Sequence, residues 1–210
     1  MKTIILALTA LTTMCLSLNG QNSFEFLKTD KSATTRVRPN LYYNLPLNVK
    51  GYSYVEIYAD GKNYYGETYL TKDVIGPIGI QGQVDFANTF NDYGGLGIIA
   101  TIPLKDTTTL LTFSFMPFFH EFQGQRLKEF MLLEFVFYKE FKVTIVGTFR
   151  INTFGQMNMI ASGGPQWYYG EAYLEKPFGK HFFLGAGLDL FTNDKWYPDA
   201  VPAFKLGYTF

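Results

Sequence analysis

The chain has 210 residues, with 18 Lys plus Arg balanced by 18 Asp plus Glu, and 18% of it is aromatic, including 15 Tyr and 21 Phe. That length suffices for one domain with a sizeable core, and the balanced charge argues against a nucleic-acid polymer or an acidic substrate as partner. Either aromatic girdles at a membrane boundary or a packed all-β core explains so many rings.

The chain begins with Met1-Lys2, an apolar run from Ile4 to Leu18 broken only by Thr and Ser, and Asn19-Gly20-Gln21, which together read as a secretory signal peptide cleaved after Gly20. Residues 1–20 are assigned to the signal and 21–210 to the mature domain. The run is too short for a transmembrane helix, and no later stretch approaches the roughly 18 uninterrupted apolar residues that a spanning helix needs. Cys15, the sole cysteine, lies in this segment behind Met14, not behind the small residue of a lipoprotein signal. Cleavage leaves a chain without disulfides, thiol chemistry or cysteine-ligated metal.

Strands follow one another from there. Ser23 to Leu27 forms a short first strand with Phe24 and Phe26 opposed to Glu25, and Thr29 to Thr35 a polar loop. From Arg36 to Leu45, Arg36, Arg38, Asn40, Tyr42 and Asn44 oppose Val37, Pro39, Leu41, Tyr43 and Leu45. Pro46 to Lys50 turns the chain, and Gly51 to Ala59 returns with Tyr52, Tyr54, Glu56 and Tyr58 on one face. Asp60-Gly61 is a hairpin signal.

Tyr64 to Lys72 then reads YYGETYLTK, with Tyr65, Glu67 and Tyr69 on one face. After a turn at Gly76-Pro77, Ile78 to Ala87 sets Gln81, Gln83 and Asp85 against Ile80, Gly82, Val84 and Phe86. Asn88 to Asp92 is a loop, Tyr93 to Ile102 a strand, Pro103 to Asp106 a turn, and Thr108 to Phe119 a strand in which Leu111, Phe113 and Phe115 oppose Thr112 and Ser114. A polar loop, His120 to Lys128, precedes Phe130 to Tyr138, where Met131, Leu133, Phe135 and Phe137 face away from Glu134. A tight turn is expected at Lys139-Glu140, then a strand Lys142 to Thr153 bearing Lys142, Thr144, Thr148, Arg150 and Asn152 on its polar face. Phe154 to Gln166 reads as a connecting stretch, within which Met157 to Ala161 is a separate strand or an extension of the next.

Tyr168 to Lys176 reads YYGEAYLEK, identical at seven of nine positions to Tyr64–Lys72. Downstream, Phe182, Leu184, Leu188 and Asp189 echo Ile78, Ile80, Val84 and Asp85 without a gap, so one hairpin occurs twice. Its second copy carries Tyr169, Glu171 and Tyr173 on the polar face and Leu184, Ala186, Leu188 and Leu190 on the apolar one. Asn193 to Asp199, with Trp196 and Tyr197, is a loop, and Val201 to Phe210 ends the chain.

Twelve strands result, with ten as the alternative, and short links alternate with longer ones. Strict alternation suits a soluble sandwich with the apolar face inward, or a membrane barrel with that face toward lipid. The export signal favours the barrel, and closure removes sheet edges whose unpaired amides are costly in lipid. With twelve strands the two hairpins stand six apart, on opposite walls, each presenting a Tyr-Glu-Tyr row and an Asp to the other.

The final strand, in which Phe204, Leu206, Tyr208 and Phe210 alternate to the last residue, resembles the terminal strand of bacterial outer-membrane β-barrel proteins. Lys205 departs from it, since the glycine usual in that signal would fall there. The resemblance implies a closed antiparallel transmembrane β-barrel in the outer membrane, in contact with its lipid and recognised by the assembly machinery through the strand ending in Phe210. Strand number, size and an aromatic lumen are also distantly similar to the nucleoside-specific outer-membrane channels, although no local motif of that family matches.

On this reading the lumen holds Glu56, Glu67, Asp85, Glu134, Glu171 and Asp189 against Arg36, Arg38, Lys142, Arg150 and Lys205. Such groups either neutralise one another and fill a narrow barrel or line a path. Inward tyrosines with hydroxyls and scattered charge bind small polar solutes, nucleosides and sugars among them, by stacking and hydrogen bonding. The candidate lining is Tyr65, Glu67, Tyr69, Asp85, Arg150, Tyr169, Glu171, Tyr173 and Asp189.

Catalysis has no such support. His120 and His181 are isolated, Ser114 is six residues from His120, and neither a hydrolase constellation nor a metal ligand set forms. Gly76 to Gly82 is no phosphate cradle, because a strand follows it. No cofactor and no enzymatic activity are expected. Two functions remain: a passive channel for small polar solutes, or a closed structural or surface-interaction barrel that acts through loops such as His120 to Lys128 and Asn193 to Asp199.

Overall fold

The computed structural model describes residues 22–29, 35–88, 92–104, 108–121, 129–160, 164–192 and 198–210. The expected signal peptide and most of the longer loops lie outside these residues. Twelve strands are formed: β1 (Ser23–Thr29), β2 (Arg36–Leu45), β3 (Val49–Tyr58), β4 (Tyr64–Ile75), β5 (Ile78–Ala87), β6 (Tyr93–Pro103), β7 (Thr109–Glu121), β8 (Glu129–Val143), β9 (Gly147–Ile160), β10 (Gly164–Phe178), β11 (Phe182–Thr192) and β12 (Pro198–Thr209). Each pairs antiparallel with its chain neighbours, and β1 pairs with β12, so the sheet closes into a barrel of twelve rather than ten strands.

Alternation of side chains decides which face looks inward. Glu67 and Asp189 are wholly buried and Glu171 is 6% exposed, whereas Leu184 and Leu188 on the opposite parity are half-exposed at 50% and 41%. The polar face is therefore the interior, as the barrel reading requires. Several outward or rim rings lie flat on a glycine directly across the ladder: a Cβ added at Gly155 would sit 2.0 Å from the Phe135 ring, and one at Gly207 2.0 Å from that of Phe183. Such ring-on-glycine pairs pin register between neighbouring strands.

Four sequence expectations are corrected. The turn expected at Lys139-Glu140 lies at residues 144–146, because Glu140 is drawn into β8 by Arg150 directly across the ladder, and Gly147 takes the positive φ of 91° that ends the turn. Phe154 to Gln166 is mostly strand, with Met157 to Ile160 belonging to β9 rather than to the next strand. Its polar Gln156 and Asn158 are almost fully buried inward residues, and a polar stretch that faces a polar interior mimics a loop in sequence. Thr29, expected in a loop, ends β1, and His120 belongs to β7 rather than to the loop behind it.

One break in alternation matters for the interior. Between Met116 and Phe119 the β7–β8 register shifts around Pro117, which has no N–H for the ladder. Met116 keeps the inward parity of Ser114, the shift turns Phe119 inward as well, and Met116, Phe119 and Leu132 form a fully buried apolar cluster with Tyr93 packed against it. A second inward apolar cluster joins Leu27, Tyr173 and Ala203. The lumen is thus polar through its middle but not throughout.

Candidate functional site

The two copies of the hairpin fold in one register: Glu67 faces Asp85 across β4–β5, and Glu171 faces Asp189 across β10–β11. Six strands separate them in the closed order, so they stand on opposite walls as expected. Each carboxylate pair gathers a different set of neighbours.

Around the second copy the partners are arginines. Arg36, only 1% exposed, reaches from β2 with Nε 2.7 Å from Glu56 Oε1, Nη1 2.7 Å from Asp189 Oδ2 and Nη2 2.8 Å from Glu171 Oε1. Arg38 donates from Nε to Glu56 Oε1 at 2.8 Å and from Nη1 to Glu171 Oε2 at 2.9 Å, and its Nη2 contacts both acids. The hydroxyls of Tyr169 and Tyr173 donate to Glu171 and Asp189. Two forked guanidinium groups and three carboxylates therefore tie β2 and β3 to β10 and β11 across the lumen, with the bidentate geometry that makes such pairs strong. Lys205 extends the network, 3.1 Å from Glu175 and 4.1 Å from the centre of the Tyr173 ring.

Around the first copy the partners are neutral. Tyr65 and Tyr69 donate to Glu67. Tyr69 also lies 3.2 Å from Glu134 Oε1 across the lumen on β8. Glu134 accepts from Gln81 at 2.8 Å, Ser114 at 2.6 Å and Gln156 at 3.0 Å, and Asp85 accepts from Gln83 at 2.8 Å. Together the two networks bridge the waist of the barrel.

Beside the waist, in the half of the lumen nearer the short turns, lies a cavity of about 340 Å³. A column of rings forms one side, with Tyr42 and Tyr52 stacked at 4.6 Å and Tyr52 and Tyr69 at 5.8 Å. Asn40, Thr71, Gln81 and Asn152 add polar groups, and Arg38, Glu171, Glu134 and Tyr169 form the boundary with the waist.

Of the residues expected to line the lumen, Tyr65, Glu67, Tyr69 and Asp85 join the neutral network and Tyr169, Glu171, Tyr173 and Asp189 the arginine network. Tyr69, Tyr169 and Glu171 also border the cavity, while Tyr173 is packed away with Leu27 and Ala203. Arg150 does not reach either network. It pairs with Glu140 at 3.1 Å, and both side chains are about a third exposed. Lys142 is likewise exposed at the end of β8. Glu25 and Glu175, outside the expected lining, are also buried inward charges. Parity alone marks them, since Glu175 lies four residues beyond Glu171 on the same strand.

No protein-family model matches this chain, and no curated protein matches it significantly. Function must therefore be argued from the site itself.

Proposed function

We propose that the chain is an outer-membrane β-barrel of a two-membraned bacterium that takes a small polar solute into its tyrosine-lined chamber and controls passage at the ion-paired waist. The exterior supports the membrane setting. Leu96 and Phe118 are 73% and 63% exposed, and Ile98, Phe113, Phe182 and Phe204 are each about half-exposed or more. A water-soluble monomer rarely leaves contiguous apolar area on that scale uncovered, whereas a closed barrel satisfies its backbone in lipid. Strands β2 to β12 have 10 to 15 residues, enough for the roughly nine to eleven that a tilted crossing takes.

Aromatic rings gather where the strands reach the short turns. Tyr208 packs against Phe182 at 4.9 Å and Phe210 at 6.2 Å, and Phe141 stacks on Phe149 at 6.0 Å, a grouping suited to the interfacial girdle of such barrels.

The observation that carries the solute reading is the chamber. Its volume lies at the lower end of ligand pockets, and its rings and amides match planar solutes with hydrogen-bonding edges, of which nucleosides are one class. Passage from chamber to the far side requires Arg36 and Arg38 to part from their acids, so the reading is of a gated path rather than a permanently open one.

Planar-bilayer recordings test it. Wild type is expected to show rare, small openings, and Arg36→Gln with Arg38→Gln frequent, larger ones. Adenosine is expected to reduce that current, and Tyr42→Ala with Tyr52→Ala to remove the block. A steady large current in wild type would refute the closed waist. Silence in both proteins would remove the passage and leave a closed barrel acting through its loops. Absence of the protein from the outer-membrane fraction would sink the location.

A further inference from the structure

The two hairpins present the same carboxylate pair but neutralise it differently. In the second copy, one guanidinium lies between the two acids, with Arg36 2.8 Å from Glu171 and 2.7 Å from Asp189. In the first copy, Glu67 and Asp85 occupy the equivalent register with no cation between them among the described residues. The strand six positions on from β2 is β8, and it delivers Glu134 where β2 delivers arginines; six on from β3 is β9, which delivers neutral Gln156. Three carboxylates, 0%, 2% and 7% exposed, thus converge without a counter-charge among the described residues. Burying ionised groups unpaired is costly.

The hydrogen-bond donors around them fall short as well. Tyr69 has a single hydroxyl proton and lies against both Glu67 and Glu134. Gln83 and Gln156, 2% and 1% exposed, turn their amide nitrogens to Asp85 and Glu134. With the acids ionised, the end of each amide that meets them is its nitrogen, and the other ends, Gln83 Oε1 and Gln156 Oε1, are buried acceptors without a partner among the described residues. What remains unsatisfied in this network is acceptor capacity, together with negative charge. A neutral hydroxyl or water brings acceptors along with its donors. A guanidinium or ammonium group brings donors only, and the charge.

We propose that Glu67, Asp85 and Glu134, with the amide oxygens of Gln83 and Gln156, form a binding site for the guanidinium or primary ammonium group of a small organic cation. The second copy supplies the template, since it holds such a group on its own arginine. Access is from the chamber, whose wall includes Glu134, Gln81, Ser114 and Tyr69. The tyrosine faces along that route suit a cation in transit. The site is defined by the barrel interior alone and does not depend on whether solute crosses the waist.

Isothermal titration of the purified protein in detergent at neutral pH tests the assignment, with methylguanidinium chloride, methylammonium chloride and urea as probes. Urea has nearly the shape of guanidinium and no charge. Saturable heat is expected with methylguanidinium or methylammonium and none with urea. Asp85→Asn and Glu67→Gln, both close to isosteric, are expected to weaken binding at least tenfold. Glu134→Arg ties a guanidinium to β8 as Arg36 is tied to β2, and it should abolish binding of the free probe. No saturable heat from either cation, equal binding of urea, or full affinity in both Asp85→Asn and Glu67→Gln would overturn the proposal.

Discussion

Two hairpins with nearly the same sequence face each other across this barrel, one locked by arginines and the other surrounded by amides and hydroxyls. The inward Tyr-Glu-Tyr row and the opposing Asp are common to both, so the difference comes from the strands that reach across. From β2 come Arg36 and Arg38, and from β8 comes Glu134. A repeated element therefore does not carry a repeated site. The same carboxylate pair becomes a structural anchor in one wall and a place short of positive charge in the other.

The largest effect that would break this contrast is at Arg36. Arg36→Ala leaves Glu56 and Glu171 with Arg38 alone and takes from Asp189 the guanidinium it is paired with, and removing one partner of a buried ion pair costs about 3–5 kcal/mol. Urea unfolding in micelles reads the loss, and a variant as stable as wild type would mean that the arginine network is not an anchor. A sharper comparison uses equivalent positions. Glu171→Gln gives up charge-assisted bonds from Arg36 and Arg38 and should cost about 1–3 kcal/mol, whereas Glu67→Gln, which gives up only bonds from the neutral Tyr65 and Tyr69 hydroxyls beside Asp85, should cost nothing or stabilise. Equal losses at both positions would erase the distinction between the walls.

Backbone packing separates the copies too. Gly187 stands where the first copy has Gln83, and a Cβ there would meet Ala172 O at 1.9 Å. Gly187→Ala is expected to cost about 1–3 kcal/mol through the forced shift, while Gln83→Ala should cost less, losing one bond to Asp85; the same unfolding assay checks both.

The smallest effect lies at the entry to the first copy. In the β3–β4 loop, Asp60 Oδ1 accepts the backbone N–H of Lys62 at 2.8 Å and of Asn63 at 2.9 Å, and these bonds hold its carboxyl below the usual aspartate range. A depressed folded pKa gives a contribution that is present above the unfolded value of about 3.9 and lost as pH falls through the folded one. Amide exchange at Lys62 and Asn63 should therefore speed up, relative to its intrinsic rate, only in acid, and Asp60→Ala should remove that pH dependence.

Much of the architecture was legible because a barrel wall is two-sided. Alternation from Arg36 to Asn40 and from Phe182 to Leu190 announced which side chains point inward, and the structure places them so. Reading failed where a polar residue has two explanations. Lys139-Glu140 and Gln156 resemble turn and loop chemistry, yet Glu140 meets Arg150 across the ladder and Gln156 meets Glu134 inside the lumen. Phe119 was illegible for another reason, since a bulge at Pro117 changes its parity without any alternating pattern to reveal it.

For this chain, local periodicity determined most of the strands, the facing of Glu67 and Glu171, and the doubling of the hairpin, because a period of two is written residue by residue, while the choice of twelve strands over ten came with closure. Which acid meets which base across the lumen was decided only by closure. Arg36 and Asp189 are far apart along the chain, and pairing β1 with β12 is what brings their walls within reach of each other. Charge parity names the members of such a network, but the distances that neutralise some of them and leave Glu67, Asp85 and Glu134 without a cation among the described residues exist only in three dimensions.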